Sequence, residues 1–239
     1  MVSKNQRKQI LQLKQKKYRL ITGLFVAEGE KVVEELLSSS WECVSLFSTD
    51  THFQIKSQEI NLSAMKQITH FKSPSPVLGV FKFPESKPIL KENVTIAVDG
   101  VSDPGNLGNI IRICDWFGIS QLVCSSTTVD CFNSKVIQAS MGSIVRVRCH
   151  YVEDISSALL NLNKPIYGAD LNGQSLYETT FEKQASFVFG SESHGLSEAV
   201  SKNLNHKITI PNFRNIGGAE SLNVASSSAI FMSEIFRLR

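Results

Sequence analysis

The stretch "AVDGVSDPGNLGNIIRICDWFG", Ala97–Gly118, decides how the rest of the chain is read. It opens as an apolar strand, turns through Asp-Gly and Asp-Pro-Gly, and then reads as a helix from about Asn106. A glycine-rich turn before a helix is a ready-made anion site. Yet Gly100, Gly105 and Gly108 do not fit a GxGxxG fingerprint. "GVSDPG" has the P-loop spacing but continues with Asn106, so no lysine reaches a phosphate. A purely structural connection needs neither Asn106 nor Arg112. Taken singly, each has a bland reading, as a helix cap and a surface charge.

Working outward, "VTIAVDG", "QLVCS", "VRVRC", "PIYGAD", "SFVFGSE" and "KITIP" read as strands. Helical pieces lie between them: "SKVIQASMGS", "DISSALLNL" and "LSEAVSKNL". The chain closes with "SLNVASSSAIFMSEIFR", also helical. This alternation predicts an α/β fold, a parallel sheet with helices on both faces. Ligands bind such sheets beyond the carboxyl ends of the strands. Three unusual turns fall there, at 99–112, 190–197 and 210–223.

The second turn, "FVFGSESHGLSEAV", fails as a GxSxG nucleophile elbow, because Ser191 stands where the first glycine belongs. Ser193 beside His194 does not make a triad, which is a matter of geometry. Ser197 reads as a cap for "LSEAV". Glu192 is harder to dismiss, since an idle, partly buried carboxylate costs solvation. In the third turn, "ITIPNFRNIGGAESLNVASSS", Gly217 and Gly218 permit backbone angles that other residues avoid. Ser221 is a ready N-cap for the last helix, and Asn223 is expected one residue inside it, where it is poorly placed.

The N-terminal part is mixed. "LFVAEGEKVVEELLSSS" runs from a strand into a helix, and Trp41–Ser48 reads as another strand. Pro74, Pro76, Pro84 and Pro88 exclude central strands and helices around them. "VLGVFKF" between them is expected as an edge strand. A boundary near residue 90 divides the chain into domains 1–90 and 91–239. Apolar content of 42% and charged content of 20% are those of an ordinary globular protein, and no apolar run is long enough to cross a bilayer. Five cysteines without a CxxC pair argue against a disulfide framework or a zinc site, so no metal is expected and a cytoplasmic location is. Seven basic and no acidic residues fall within the first 19, while the remainder is net acidic. Such a segment suits a polyanion, nucleic acid above all, although a solvated helix face explains it equally well.

The three turns together, in this order, resemble the motifs of the SpoU/TrmH family of RNA ribose 2′-O-methyltransferases, of the SPOUT superfamily. The resemblance covers residues 94–239. Residues 10–83, with "KKYR", "LFVAEGEKVVEELL" and "SPSPVLGVF", are similar to that family's small N-terminal α/β substrate-binding domain. "SES" stands where the family commonly has "SEG" or "AEG", and the third motif is some three residues longer than the common form. The resemblance implies a C-terminal trefoil knot, an exception to unknotted topology. It implies S-adenosyl-L-methionine as cofactor, held near Gly190, Ile210 and Leu222. Arg112, Asn106, Glu192, Ser221 and Asn223 are the implied catalytic group, and Lys14, Lys16, Lys17 and Arg19 the RNA contacts. The expected partner is structured RNA, ribosomal RNA before transfer RNA, and the alternative is a non-catalytic RNA-binding protein that kept the fold. A homodimer is implied too. It would pair through the first-motif and last helices, using Ile110, Ile111, Ile113, Ile230, Phe231 and Ile235.

Overall fold

The structure, a computed structural model, is described for residues 2–49, 57–214 and 218–237. Two compact units emerge: Met1–Lys87 with Asp130–Val145, and Pro88–Val129 with Arg146–Arg239. The stretch 130–145 thus packs with the N-terminal residues, although the sequence alone suggested one cut near residue 90.

The first unit contains β1 (Leu24–Glu28), β2 (Cys43–Ser48), β3 (Gln58–Glu59) and β4 (Val77–Lys82), in spatial order β1-β4-β2-β3. The expected edge strand "VLGVFKF" therefore lies inside the sheet, antiparallel to both β1 and β2. Pro76 precedes β4 and Pro84 follows it, so the prolines bound the strand without removing its ladder donors. All five residues of β1 are buried, because both of its faces are covered. Leu24 and Val26 meet Ile10 and Leu13, together with Met65 and Ile68 of α4 (Leu62–Ile68). Phe25 faces the other way, against Trp41, Phe81, Phe83 and Phe132. Ser3 and Gln6 form a capping box at the start of α1 (Lys4–Gln12). A second helix, α2 (Lys16–Thr22), and α3 (Glu30–Leu37) flank β1 in sequence. From the distant segment comes α6 (Ser134–Ala139), with Val136 and Ile137 buried.

The second unit is built on six parallel strands in the order β10-β8-β9-β5-β6-β7. These are β5 (Val94–Asp99), β6 (Gln121–Ser125), β7 (Arg148–Val152), β8 (Ile166–Ser175), β9 (Ala185–Gly190) and β10 (His206–Thr209). Strands β5, β6 and β9 are apolar and almost wholly buried, as parallel strands covered on both faces must be. On one face Ala97, Val123 and Val188 pack with Ile155 and Leu159 of α7 (Ile155–Leu160) and Val200 of α8 (Glu198–Ser201). Phe189, next to Val188, points to the opposite face and meets Phe231 of α9 (Val224–Arg237) edge-on, ring centroids 5.3 Å apart. With α5 (Pro104–Trp116) this completes the expected parallel α/β architecture. Strand β7 is shifted along the chain to Arg148–Val152, at the expected length of five residues. The helices are trimmed: α8 stops at Ser201, for example, and α9 begins at Val224 rather than Ser221. Among the described residues no helix is long and apolar enough to cross a membrane.

Candidate functional site

The carboxyl ends of β5 and β9 and the start of α9 bring three remote side chains together. Asp103 caps α5 by accepting the Asn106 N–H at 2.8 Å, and Pro104 occupies the first turn. That cap sets the direction of Asn106, whose Nδ2 donates to Glu192 Oε1 at 2.7 Å. Asn223 Nδ2 donates to the same Glu192 oxygen at 2.8 Å and to Asn106 Oδ1 at 2.8 Å. Asn223 Oδ1 accepts the N–H groups of Ala225 and Ser226 at 3.0 and 3.2 Å. Asn223 is therefore the N-cap of α9, a role the sequence assigned to Ser221. The apparent misfit of an asparagine inside a helix disappears. Its oxygen is held by the helix, so its nitrogen faces the carboxylate.

The turns themselves are braced from below. Asp99, buried at the end of β5, accepts the Ser197 N–H at 2.8 Å. Ser125 Oγ accepts the Gly100 N–H at 2.8 Å. Neither residue was singled out in the sequence. Asp99 in "VDG" ends a strand, the one signal that marks it. Ser197 stands at the N-cap of α8 but makes no side-chain cap bond. The turn after β9 folds back on itself through reciprocal bonds between Ser191 and Gly195 at 2.9 and 2.8 Å. A Cβ on Gly190 would lie 2.2 Å from the Gly195 carbonyl carbon, so this fold-back demands glycine at 190. Gly218 has φ +119°, as a glycine-specific turn requires, whereas Gly217 lies outside the described residues.

A cleft of about 460 Å³ opens beside this network. Gly190, Ile210 and Leu222 line it, as do Glu192 and Ser221. Ile208, Val224 and Phe231 add apolar wall. A second hollow of about 390 Å³ is lined by Arg112, Asn109, Trp116 and Asn223. Arg112 is exposed and, among the described residues, has no hydrogen-bond or ion-pair partner. Glu192 belongs to the first hollow and Asn223 to the second, so their 2.8 Å bond joins the two. Glu192 is exposed, so its position is explained by the two amides rather than by forced burial. Ser193 Oγ lies 2.8 Å from His194 Nδ1, and both residues are exposed.

Among the proposed RNA contacts, Lys14, Lys16 and Lys17 are exposed. Arg19 is not: it is 2% exposed, and its guanidinium is bonded to Asp130 and to two backbone carbonyls. Arg19 is corrected here from a phosphate contact to an internal anchor. The expected pairing residues also need correction. Ile110, Ile111, Phe231 and Ile235 are buried within the chain itself, and Ile113 and Ile230 are half-buried. Among the described residues of α5 and α9, Trp116 is the large apolar side chain left exposed, at 84%.

Fold and site together define a member of a known methylase class. Residues 93–233 match the model of the SpoU rRNA Methylase family, and residues 4–79 match the MRM3-like substrate binding domain. The chain belongs to the SpoU rRNA methylase family. It is 30% identical over 245 residues to the 23S rRNA (guanosine(2553)-2′-O)-methyltransferase RlmP of Bacillus subtilis, covering 96% of each chain. Among solved structures it is similar to a TrmH-family protein of Porphyromonas gingivalis, with 36% identity, TM-score 0.89 and full coverage of both chains. It is also similar to an AdoMet-bound rRNA methyltransferase of Sinorhizobium meliloti, with 27% identity and TM-score 0.84. That match covers 100% of this chain and 97% of the other.

Proposed function

We propose that this chain transfers a methyl group from S-adenosyl-L-methionine to a ribose 2′-hydroxyl of structured RNA, ribosomal RNA before transfer RNA. One observation carries the reading: the Glu192–Asn223 bond links a cleft suited to the donor with a hollow that presents Arg112. The cleft lies within the size range of small-ligand sites, and its apolar wall with a polar rim suits a nucleoside. Gly190, Ile210 and Leu222 would hold the cofactor, which supplies an electrophilic methyl group when bound.

Arginine stays protonated at any working pH, so Arg112 is no general base. It orients the ribose hydroxyl and the neighbouring phosphate. As the S–CH3 bond breaks and the O–CH3 bond forms, the hydroxyl proton passes to water or another group and S-adenosylhomocysteine leaves. Asn106, Glu192 and Asn223 fix the turn geometry, and Ser221, in the wall of the donor cleft, helps to fix the catalytic loop. Alignment of this kind can remove roughly 7–11 kcal/mol of barrier. Lys14, Lys16 and Lys17 grip RNA phosphate, which positions without specifying sequence. In this reading residues 1–90 are the substrate-binding part and 91–239 the methyltransferase part. The C-terminal segment forms a trefoil knot, and two copies pair through the α5–α9 side, where Trp116 is exposed. Substrate RNA and enzyme then meet in the cytoplasm. Mapping 2′-O-methyl positions in total RNA from cells with and without the protein tests the assignment. One position lost with the protein supports it; an unchanged map, with S-adenosylmethionine bound, points to the non-catalytic alternative.

A further inference from the structure

Inside the first unit, Arg19 bridges two segments that are 111 residues apart. Its Nε and Nη2 donate to Asp130 Oδ2 at 2.8 and 2.6 Å. Its Nη1 donates to the carbonyls of Leu13 and Lys14 at 2.8 and 2.9 Å. Those carbonyls belong to the turn between α1 and α2, the turn that carries exposed Lys14 into Lys16 and Lys17. Asp130 is anchored independently of the arginine. Its Oδ1 accepts the Phe132 N–H at 3.0 Å, and the Phe132 ring stacks on Phe83 with centroids 4.1 Å apart. A guanidinium is a rigid planar fork, so the carboxylate that holds one edge aims the other. Without that carboxylate the charge is unpaired in a closed site, Arg19 leaves, and both carbonyls lose their donor.

We propose that Asp130 is a positioning residue for RNA: acting through Arg19, it fixes the turn that presents Lys14, Lys16 and Lys17 to phosphate. Asp130 falls in the stretch matched by the methylase family model, yet it belongs to the first unit. The proposal rests on the reading of the three lysines as RNA contacts.

The test compares variants of the full chain in methyl transfer to RNA. Asp130→Asn keeps the side-chain shape and removes the charge. The Michaelis constant for RNA should rise about tenfold, the loss of one charge-assisted contact, with kcat unchanged. Affinity for S-adenosylhomocysteine should stay at the wild-type value. The logarithmic salt dependence of RNA binding should become shallower by about one. Val136→Ala, in the same segment but outside the ion pair, should lower the melting temperature while leaving the RNA constants alone. Asp130→Asn behaving like Val136→Ala would overturn the proposal. If Asp130→Asn yields no folded protein, Arg19→Lys, which keeps the charge but lacks the fork, is held to the same readouts. A triple Lys14, Lys16 and Lys17→Ala variant with wild-type RNA affinity would sink the RNA-contact reading itself, a separate result.

Discussion

The chain carries two polar anchors built in opposite ways. At the strand ends of the second unit, two neutral amides and one carboxylate meet at an exposed cleft mouth. In the first unit, a full ion pair is sealed from water, with side chains 3% and 9% exposed. The open anchor keeps Glu192 and Asn223 exposed, within reach of a ligand, although Asn106 is buried. The sealed one spends all its donors internally and reaches nothing outside. Changes at the first should therefore act on rate, and changes at the second on stability and, through the lysine turn that Arg19 holds, on the grip on RNA.

Arg112→Ala gives the sharpest separation. Methyl transfer should fall about a thousandfold, on the scale of losing a charged group that acts at the reacting centre. Unfolding free energy should move by less than about 0.5 kcal/mol, because the side chain is exposed. Affinity for S-adenosylhomocysteine, read by calorimetry, should stay within a few-fold. Lost cofactor binding would break the assignment.

Arg19→Met is the mirror case. It leaves Asp130 buried without its cation, which costs about 3–5 kcal/mol. Urea unfolding of the full chain reads this directly, and a change below 1 kcal/mol would mean that water already reaches the pair.

Acid supplies a third probe. Burial holds His70 neutral, its pKa lowered from 6.5 to about 4, with Nε2 2.8 Å from the Ile10 carbonyl oxygen and Nδ1 unpartnered. The unfolded chain binds the proton first, so stability is lost as pH falls from 6.5 towards 4, by about 3 kcal/mol in the limit. Glu28, its pKa raised by burial, works the other way, since the folded state takes up its proton more readily. Comparing His70→Gln with wild type at pH 7 and pH 5 isolates the histidine. The wild type should lose more stability on acidification than the variant.

The smallest effect dissects Asn223. Asn223→Ser keeps a capping oxygen but loses both amide donations, whereas Asn223→Ala loses cap and donations together. Their stabilities should differ by about 1 kcal/mol, while both slow methyl transfer to a similar degree. Equal stabilities would mean that water caps α9.

The three turns could be read in the sequence because each motif is local: a strand end, a glycine and a helix start stand within some twenty residues. What could not be read depends on distant partners. Nothing in "KKYRLIT" shows that Arg19 finds Asp130. The same blindness made β4 an edge strand, since flanking prolines do not tell which neighbours pair. Ser221 was favoured as cap on residue type, but Asn223 serves both the helix and Glu192, and one position two residues on satisfies more groups.

The excursion of residues 130–145 has a consequence for synthesis. The first unit cannot complete its interior when residue 87 leaves the ribosome, because the partner of Arg19 and the ring between Phe25 and Phe83 have not been made. At about 5–20 residues per second, the nascent chain waits several seconds for them. β5, α5 and β6 of the second unit emerge meanwhile, so the two units must mature interleaved rather than one after the other.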